Sequence, residues 1–157
     1  MGRWEGGRVG GWEDERMGSY EDKKMGGLED ERVGDRIKGV RDLEVYKLAF
    51  DCAMKIFEIT KNFPSEERYS LTDQIRRSSR SVCSNLAEGW RKRRYPAVFK
   101  NKLTDAMQEA SETQTWLEFC LACKYIDGVA FESLDTEYEK VLAMLNSMEM
   151  KSVKFCF

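Results

Sequence analysis

The sequence predicts an all-α protein: an antiparallel up-down-up-down four-helix bundle with a disordered N-terminal repeat tail. Three observations carry that expectation. The chain has only two prolines, Pro64 and Pro96, and long stretches with neither Pro nor Gly, which favours long helices over strands and turns. From about Gly39 onward, apolar residues recur at three- and four-residue steps in four segments, the period of an amphipathic helix. Before Gly39 the chain is glycine-rich and repeats every eight residues.

In the tail, Met17-Gly18-Ser19-Tyr20-Glu21-Asp22-Lys23-Lys24 is followed by Met25-Gly26-Gly27-Leu28-Glu29-Asp30-Glu31-Arg32. Val9 to Arg16 fits the same template, and Met1 to Arg8 fits it more loosely. Nine of the twelve glycines lie here. Gly costs a helix about 1 kcal/mol relative to Ala, and one large apolar residue per copy does not offset chain entropy. Residues 1–38 therefore read as a disordered low-complexity tail. Two other readings stay open: a repeated short ligand motif, and a repetitive leader upstream of the true start, with Met25 as a candidate start.

Residues 39–150 make the bundle, and 151–157 a C-terminal tail. Leu43, Tyr46, Ala49, Phe50, Ala53, Ile56 and Phe57 set the first helix, which should stop near Asn62 because Pro64 biases Phe63 away from helical angles. Ser65 is placed to cap the second helix, with Glu66 and Glu67 in its first turn. The inner stripe of that helix is Leu71, Ile75, Ser78, Val82, Leu86 and Gly89, and it should end near Trp90. Pro96 suits the first turn of a third helix, whose buried face is Phe99, Leu103, Ala106, Ala110, Leu117 and Leu121. Asp127-Gly128 is a turn signal. Phe131, Leu134, Tyr138, Val141, Leu142, Leu145 and Met148 give the fourth helix the cleanest period of all.

Composition narrows the chemistry. With 41% hydrophobic and 34% charged residues, a chain of this length holds one domain plus a tail. No apolar run approaches the roughly 18–20 residues that cross a bilayer, and the charged N-terminus is unlike a signal peptide. The expectation is a cytoplasmic protein that does not enter the membrane. There is no histidine, which removes the commonest general base and a common metal ligand. The five cysteines are odd in number and scattered, so they read as small buried apolar residues and not as a disulfide framework. Cys120-x-x-Cys123 falls inside a helix, without the strand of a redox motif or the two further ligands of a zinc site. Glu109 and Glu112 point two carboxylates one way, but a di-iron bundle needs Glu-x-x-His motifs. No catalytic residue, metal or cofactor is expected.

Charge is unevenly placed. Net charge is −2, yet Arg76 to Lys102 holds nine basic residues against Glu88, and Leu103 to Met150 holds ten acids against Lys124 and Lys140. Arg76, Arg80 and Arg91 share a helical face by spacing, and Arg91, Lys92, Arg93 and Arg94 join them at the connection, with Lys100 beyond. Together with Trp90 and Tyr95 this basic edge fits phosphates and stacked bases; the other reading is a solvated surface balanced by acidic helices. Gln74, Arg77, Ser81, Asn85 and Glu88 form a polar stripe on the second helix, suited to fixing helix register or subunit contacts. Leu86, Ala87 and Trp90, beside Trp116 and Phe119, are candidates for a subunit contact.

Several of these segments resemble a known family. Leu43-Glu44-Val45-Tyr46-Lys47, Phe63-Pro64 with Glu67 following, Leu71-Thr72-Asp73-Gln74-Ile75-Arg76-Arg77 and Ser81-Val82-Cys83-Ser84-Asn85-Leu86-Ala87-Glu88-Gly89 occur in order. They resemble the four-helix-bundle proteins encoded in intervening sequences of bacterial 23S ribosomal RNA genes, over about Val40 to Met148. The resemblance implies a ring-shaped homopentamer without enzymatic activity. A related accessory protein of diversity-generating retroelements binds a reverse transcriptase and nucleic acid. Two departures stand out: Ser81-Val82-Cys83 replaces the usual Ser-Ile-Pro, and Met107-Gln108 replaces a Gly-Ser pair before Glu109. The resulting expectation is a non-enzymatic homo-oligomer that binds RNA through its basic edge. The alternative is a protein–protein adaptor that docks a partner enzyme such as a reverse transcriptase.

Overall fold

The computed structural model describes residues 37–157, and the expected disorder of residues 1–38 falls almost wholly outside them. Four helices account for most of what is described: α1 (Glu44–Thr60), α2 (Leu71–Arg91), α3 (Pro96–Ala122) and α4 (Gly128–Met150), with short 3-10 turns at Val40–Asp42, Ser65–Glu67 and Ser152–Lys154. There is no strand among the described residues. The class is all-α, as the periodicity predicts.

On the first helix the predicted stripe is corrected: Leu43, Ala49, Ala53 and Ile56 are buried, but Tyr46 and Phe57 are half-buried and Phe50 is exposed, because the face that meets the other helices runs through Val45, Ala49, Cys52 and Ile56. Leu71, Ile75, Ser78, Val82, Leu86 and Gly89 of α2 are buried, as are Phe99, Leu103, Ala106, Ala110 and Leu117 of α3. In α4, Leu134, Tyr138, Val141, Leu145 and Met148 are buried. Phe131, Leu142 and, on α3, Leu121 are only partly buried and pack at the margin of the core. Burying one large apolar side chain is worth very roughly 1.5–3 kcal/mol, so these four stripes together hold the fold. Each helix packs against the next, and α1 also packs against α4. Contacts run in opposite order along α2 and α3: Ser78 meets Thr113 while Asn85 meets Lys102.

The start of α2 differs from expectation. Ser65 does not cap it; Ser65–Glu67 form a separate turn, and Ser70 is the cap, its hydroxyl accepting from the Leu71 N–H at 2.6 Å. Glu67 organises this corner. Its carboxylate accepts from the Ser70 hydroxyl at 2.5 Å, the Leu71 N–H at 3.1 Å and the Tyr125 hydroxyl at 3.0 Å. Those three bonds, the one from Ser70 foremost, hold it below the usual carboxylate range. Tyr125 also packs on Phe63, with ring centroids 5.2 Å apart, so one acid ties the α1–α2 loop to the α3–α4 loop.

Helices α2 and α3 approach closely at Gly89. A Cβ built there would stand 2.9 Å from the Cβ of Lys102 and 3.5 Å from the Phe99 ring. Helix α2 runs unbroken past Val82 and Cys83, where the family usually carries a proline. At the other departure, Met107 is half-buried and Gln108 exposed, so the close approach sits about one and a half turns earlier in α3.

The C-terminal segment is packed against the bundle. Ser152 is buried, and the Phe155 ring centroid lies 6.4 Å from that of Trp90 and 6.3 Å from that of Phe99.

Gly89→Ala is expected to destabilise the protein by about 1–3 kcal/mol, because α2 and α3 must part to admit the methyl group. Thermal unfolding followed by circular dichroism reads this as a lower Tm; an unchanged Tm would show that the approach is not tight.

Candidate nucleic-acid interface

The residues that link α2 to α3 form a compact, strongly cationic corner. At the end of α2, the Lys92 N–H bonds to the carbonyls of Glu88 and Gly89, and the Tyr95 N–H returns to the Lys92 carbonyl at 2.8 Å. Pro96 then opens α3, where its missing N–H costs nothing. A turn this short leaves no room for its long side chains except outward. Arg91, Lys92, Arg94 and Tyr95 are exposed. Among the described residues no carboxylate pairs with Arg91, Lys92 or Arg94.

Arg93 behaves differently. Its Nε donates to the Trp90 carbonyl at 2.8 Å, and its guanidinium carbon lies 3.6 Å from the centroid of the Trp90 ring and 5.1 Å from that of Phe157. Burial pulls its pKa down, but a guanidinium stays charged at any working pH. Trp90 itself is buried in the core. Its ring faces Phe155 and Arg93 and is closed to a nucleotide base. The exposed aromatics at this corner are Tyr95, 56% exposed, and Phe157, 81% exposed.

The basic edge divides in two. Arg76 and Arg91 are fifteen residues apart on one helix, which is about 22 Å along its axis. Arg76 is a strut between helices: its Nε donates to Thr60 Oγ1 at 2.7 Å, Nη2 reaches the Phe57 carbonyl at 3.5 Å, and the guanidinium lies 4.8 Å from the Phe57 ring centroid. Arg80 lies over the same ring at 5.7 Å. These two cations sit against the last turns of α1, where a helix C-terminus favours positive charge. Lys100 is 3.8 Å from Glu149, and Lys102 pairs with Glu88 at 2.7 Å and with Asp105 at 3.7 Å. Acidic residues thus neutralise the two lysines and leave the connection unpaired.

The polar stripe on α2 lies along its seam with α3. Gln74, Arg77 and Glu88 are exposed, while Ser81 and Asn85 are half-buried. Asn85 Nδ2 donates to the Ser81 carbonyl at 3.0 Å and Asn85 Oδ1 accepts from Lys102 at 3.3 Å. Arg77 stands 3.9 Å from Asp73. On the facing helix, burial first, then Glu112 and Asp105, raise the Glu109 carboxyl above its usual range. Of the proposed subunit contacts, Leu86 and Trp90 are buried within this chain and are corrected to core residues: 3.6-residue periodicity carries them to the buried side of α2. Ala87 is half-buried and lines a shallow depression with Arg91, Val98 and Lys102. Trp116 is half-buried with its indole N–H on Glu112 at 3.1 Å, and its neighbour Phe119 is 52% exposed.

The thiols offer little reactivity. Cys52, Cys83 and Cys120 are buried and free. Burial pushes Cys83 and Cys120 up to about 12 and Cys52 higher still, where the Glu137 carboxylate, 3.1 Å away, adds to it. Cys123 is exposed at the end of α3 and Cys156 is half-buried, so the packing explanation covers three of the five. Phe155 and Phe157 were not among the residues singled out in the sequence. Two phenylalanines two apart in a short terminal segment were the available signal.

A family model described as 23S rRNA-intervening sequence protein matches residues 41–147. A solved structure described as a protein of unknown function from the S23 ribosomal protein family of Bacteroides thetaiotaomicron is 29% identical, with a TM-score of 0.61, covering 67% of this chain and 97% of that one. No curated protein matches the chain.

A carboxyl that binds its proton more tightly when folded removes stability as pH rises from the unfolded value, 4.5, through the raised folded one. Glu109→Gln is therefore expected to raise Tm at pH 7, with the gain shrinking as pH approaches 4.5. Thermal melts across that range check it; a Tm lowered at pH 7 would mean that the charge of Glu109 is needed, for instance by Arg77.

Proposed function

This chain belongs to the 23S rRNA-intervening sequence protein family, and from that premise we propose that it is a non-enzymatic, cytoplasmic, homo-oligomeric helical bundle that binds RNA through the α2–α3 connection. One observation carries the reading: Arg91, Lys92 and Arg94 are exposed together with no carboxylate partner among the described residues. Cations held on a short, well-packed turn meet phosphates with little further ordering cost, and the bound phosphates release counterions. A ring of copies, five by the family resemblance, would repeat the corner and make later contacts intramolecular. Exposed Phe119 beside Trp116 supports self-association. The absence of histidine and the raised thiols support a binding role over a catalytic one. Among the described residues no helix is long and apolar enough to cross a membrane.

The adaptor reading draws on a different place. Phe119 lies twenty-three residues along α3 from Pro96, about 35 Å from the cationic end, so a partner enzyme seated there would leave the connection free.

Light scattering should give a multiple of the monomer mass, and added RNA should raise it further. The triple substitution R91A/K92A/R94A should weaken RNA binding at low salt and flatten the log affinity–log salt slope by about 2 for each subunit engaged, at roughly 0.7 per single-strand phosphate contact. Binding that is absent in the wild type, or equal in the variant, would favour the adaptor. A monomer mass at micromolar concentration would overturn the assembly.

A further inference from the structure

Phosphate contacts alone do not distinguish a paired strand from an unpaired one; exposed aromatic faces do, because bases stacked in a duplex are not free to stack on protein. Resting on the RNA reading above, the geometry points to Tyr95 and Phe157 as a base-stacking platform, so that the ligand of the α2–α3 corner is an unpaired RNA strand and not a duplex. Phe157 carries most of this argument. Phe157 has 81% of its surface in water, unlike Phe155 two residues earlier, which is inserted against Trp90 and Phe99. Phe157 is nevertheless held, since the Arg93 guanidinium lies over its ring at 5.1 Å. Arg93 is itself fixed by its bond to the Trp90 carbonyl and by the Trp90 ring.

The outcome is an exposed ring set on an immobilised cation, next to a cationic turn. Tyr95 supplies a second ring within that turn, 56% exposed and one residue before the start of α3, with its backbone N–H bonded to the Lys92 carbonyl. Exposed rings at a corner where Arg91, Lys92 and Arg94 have no carboxylate partner among the described residues offer a single strand both stacking for its bases and charge for its phosphates. Trp90, which the sequence puts forward together with Tyr95, is buried and takes no part except in seating Arg93.

The test uses the full chain and two probes, fluorescein-labelled oligouridine and a labelled blunt RNA duplex, read by fluorescence anisotropy at low salt. Tyr95→Ala and Phe157→Ala should each weaken oligouridine binding at least about fivefold while leaving duplex binding roughly unchanged. Phe157→Trp should restore or strengthen it. Both rings are largely solvent-exposed, so folding should survive, and the duplex measurement controls for it. Unchanged oligouridine affinity in both alanine variants, or equal losses on the two probes, would overturn the stacking platform. If the wild type binds neither probe, the RNA reading itself falls and the platform with it.

Discussion

The near-contact of α2 and α3 at Gly89 governs much of this structure. With no side chain there, the Cβ of Lys102 reaches within 2.9 Å of where one would be, and the two helices pack along most of their length. A residue of any other type would wedge them apart at the end that carries the cationic turn. From this approach follows the position of Lys102, whose amine finds Glu88, Asn85 and Asp105. The turn that follows is short because the helices it joins are already close.

Charge in this protein is sorted by that packing. Cations that lie between helices are spent on structure: Arg76 and Arg80 on the end of α1, Lys55 on Glu137, Lys100 and Lys102 on acids nearby. Among the described residues the cations Arg91, Lys92 and Arg94 make no ion pair, since the nearby Glu88 is taken by Lys102. The near-zero net charge of the whole chain hides this local excess, and local excess is what a polyanion meets.

The interior contains polar groups of its own. Ser78 and Thr113 share a hydrogen bond at 2.9 Å, and the Tyr138 hydroxyl is buried beside Thr113. Burial drives that phenol well above its usual pKa. Such groups favour one register of α2 against α3 and α4 more than they favour stability.

Much of the fold was legible in the sequence because helical burial is periodic. Ile75, Leu103, Tyr138 and their neighbours lie inward for the same reason that they recur at three and four residues, and Pro96 and Asp127-Gly128 mark boundaries by local backbone chemistry. The residue types also announced the absence of imidazole chemistry and the presence of a basic cluster. What periodicity cannot tell is which neighbour a side chain meets. Ser70 displaced Ser65 as the cap because Glu67, held by Tyr125 from a distant loop, stabilises that end of α2. Trp90 turned inward because the chain's last turn brings Phe155 against its ring. Arg76 left the basic edge because Thr60 and Phe57 lie within its reach. Phe157 joined Arg93 only through a fold that returns the end of the chain to the α2–α3 turn. Each of these is a contact between residues far apart in sequence, set by packing geometry that no local pattern encodes.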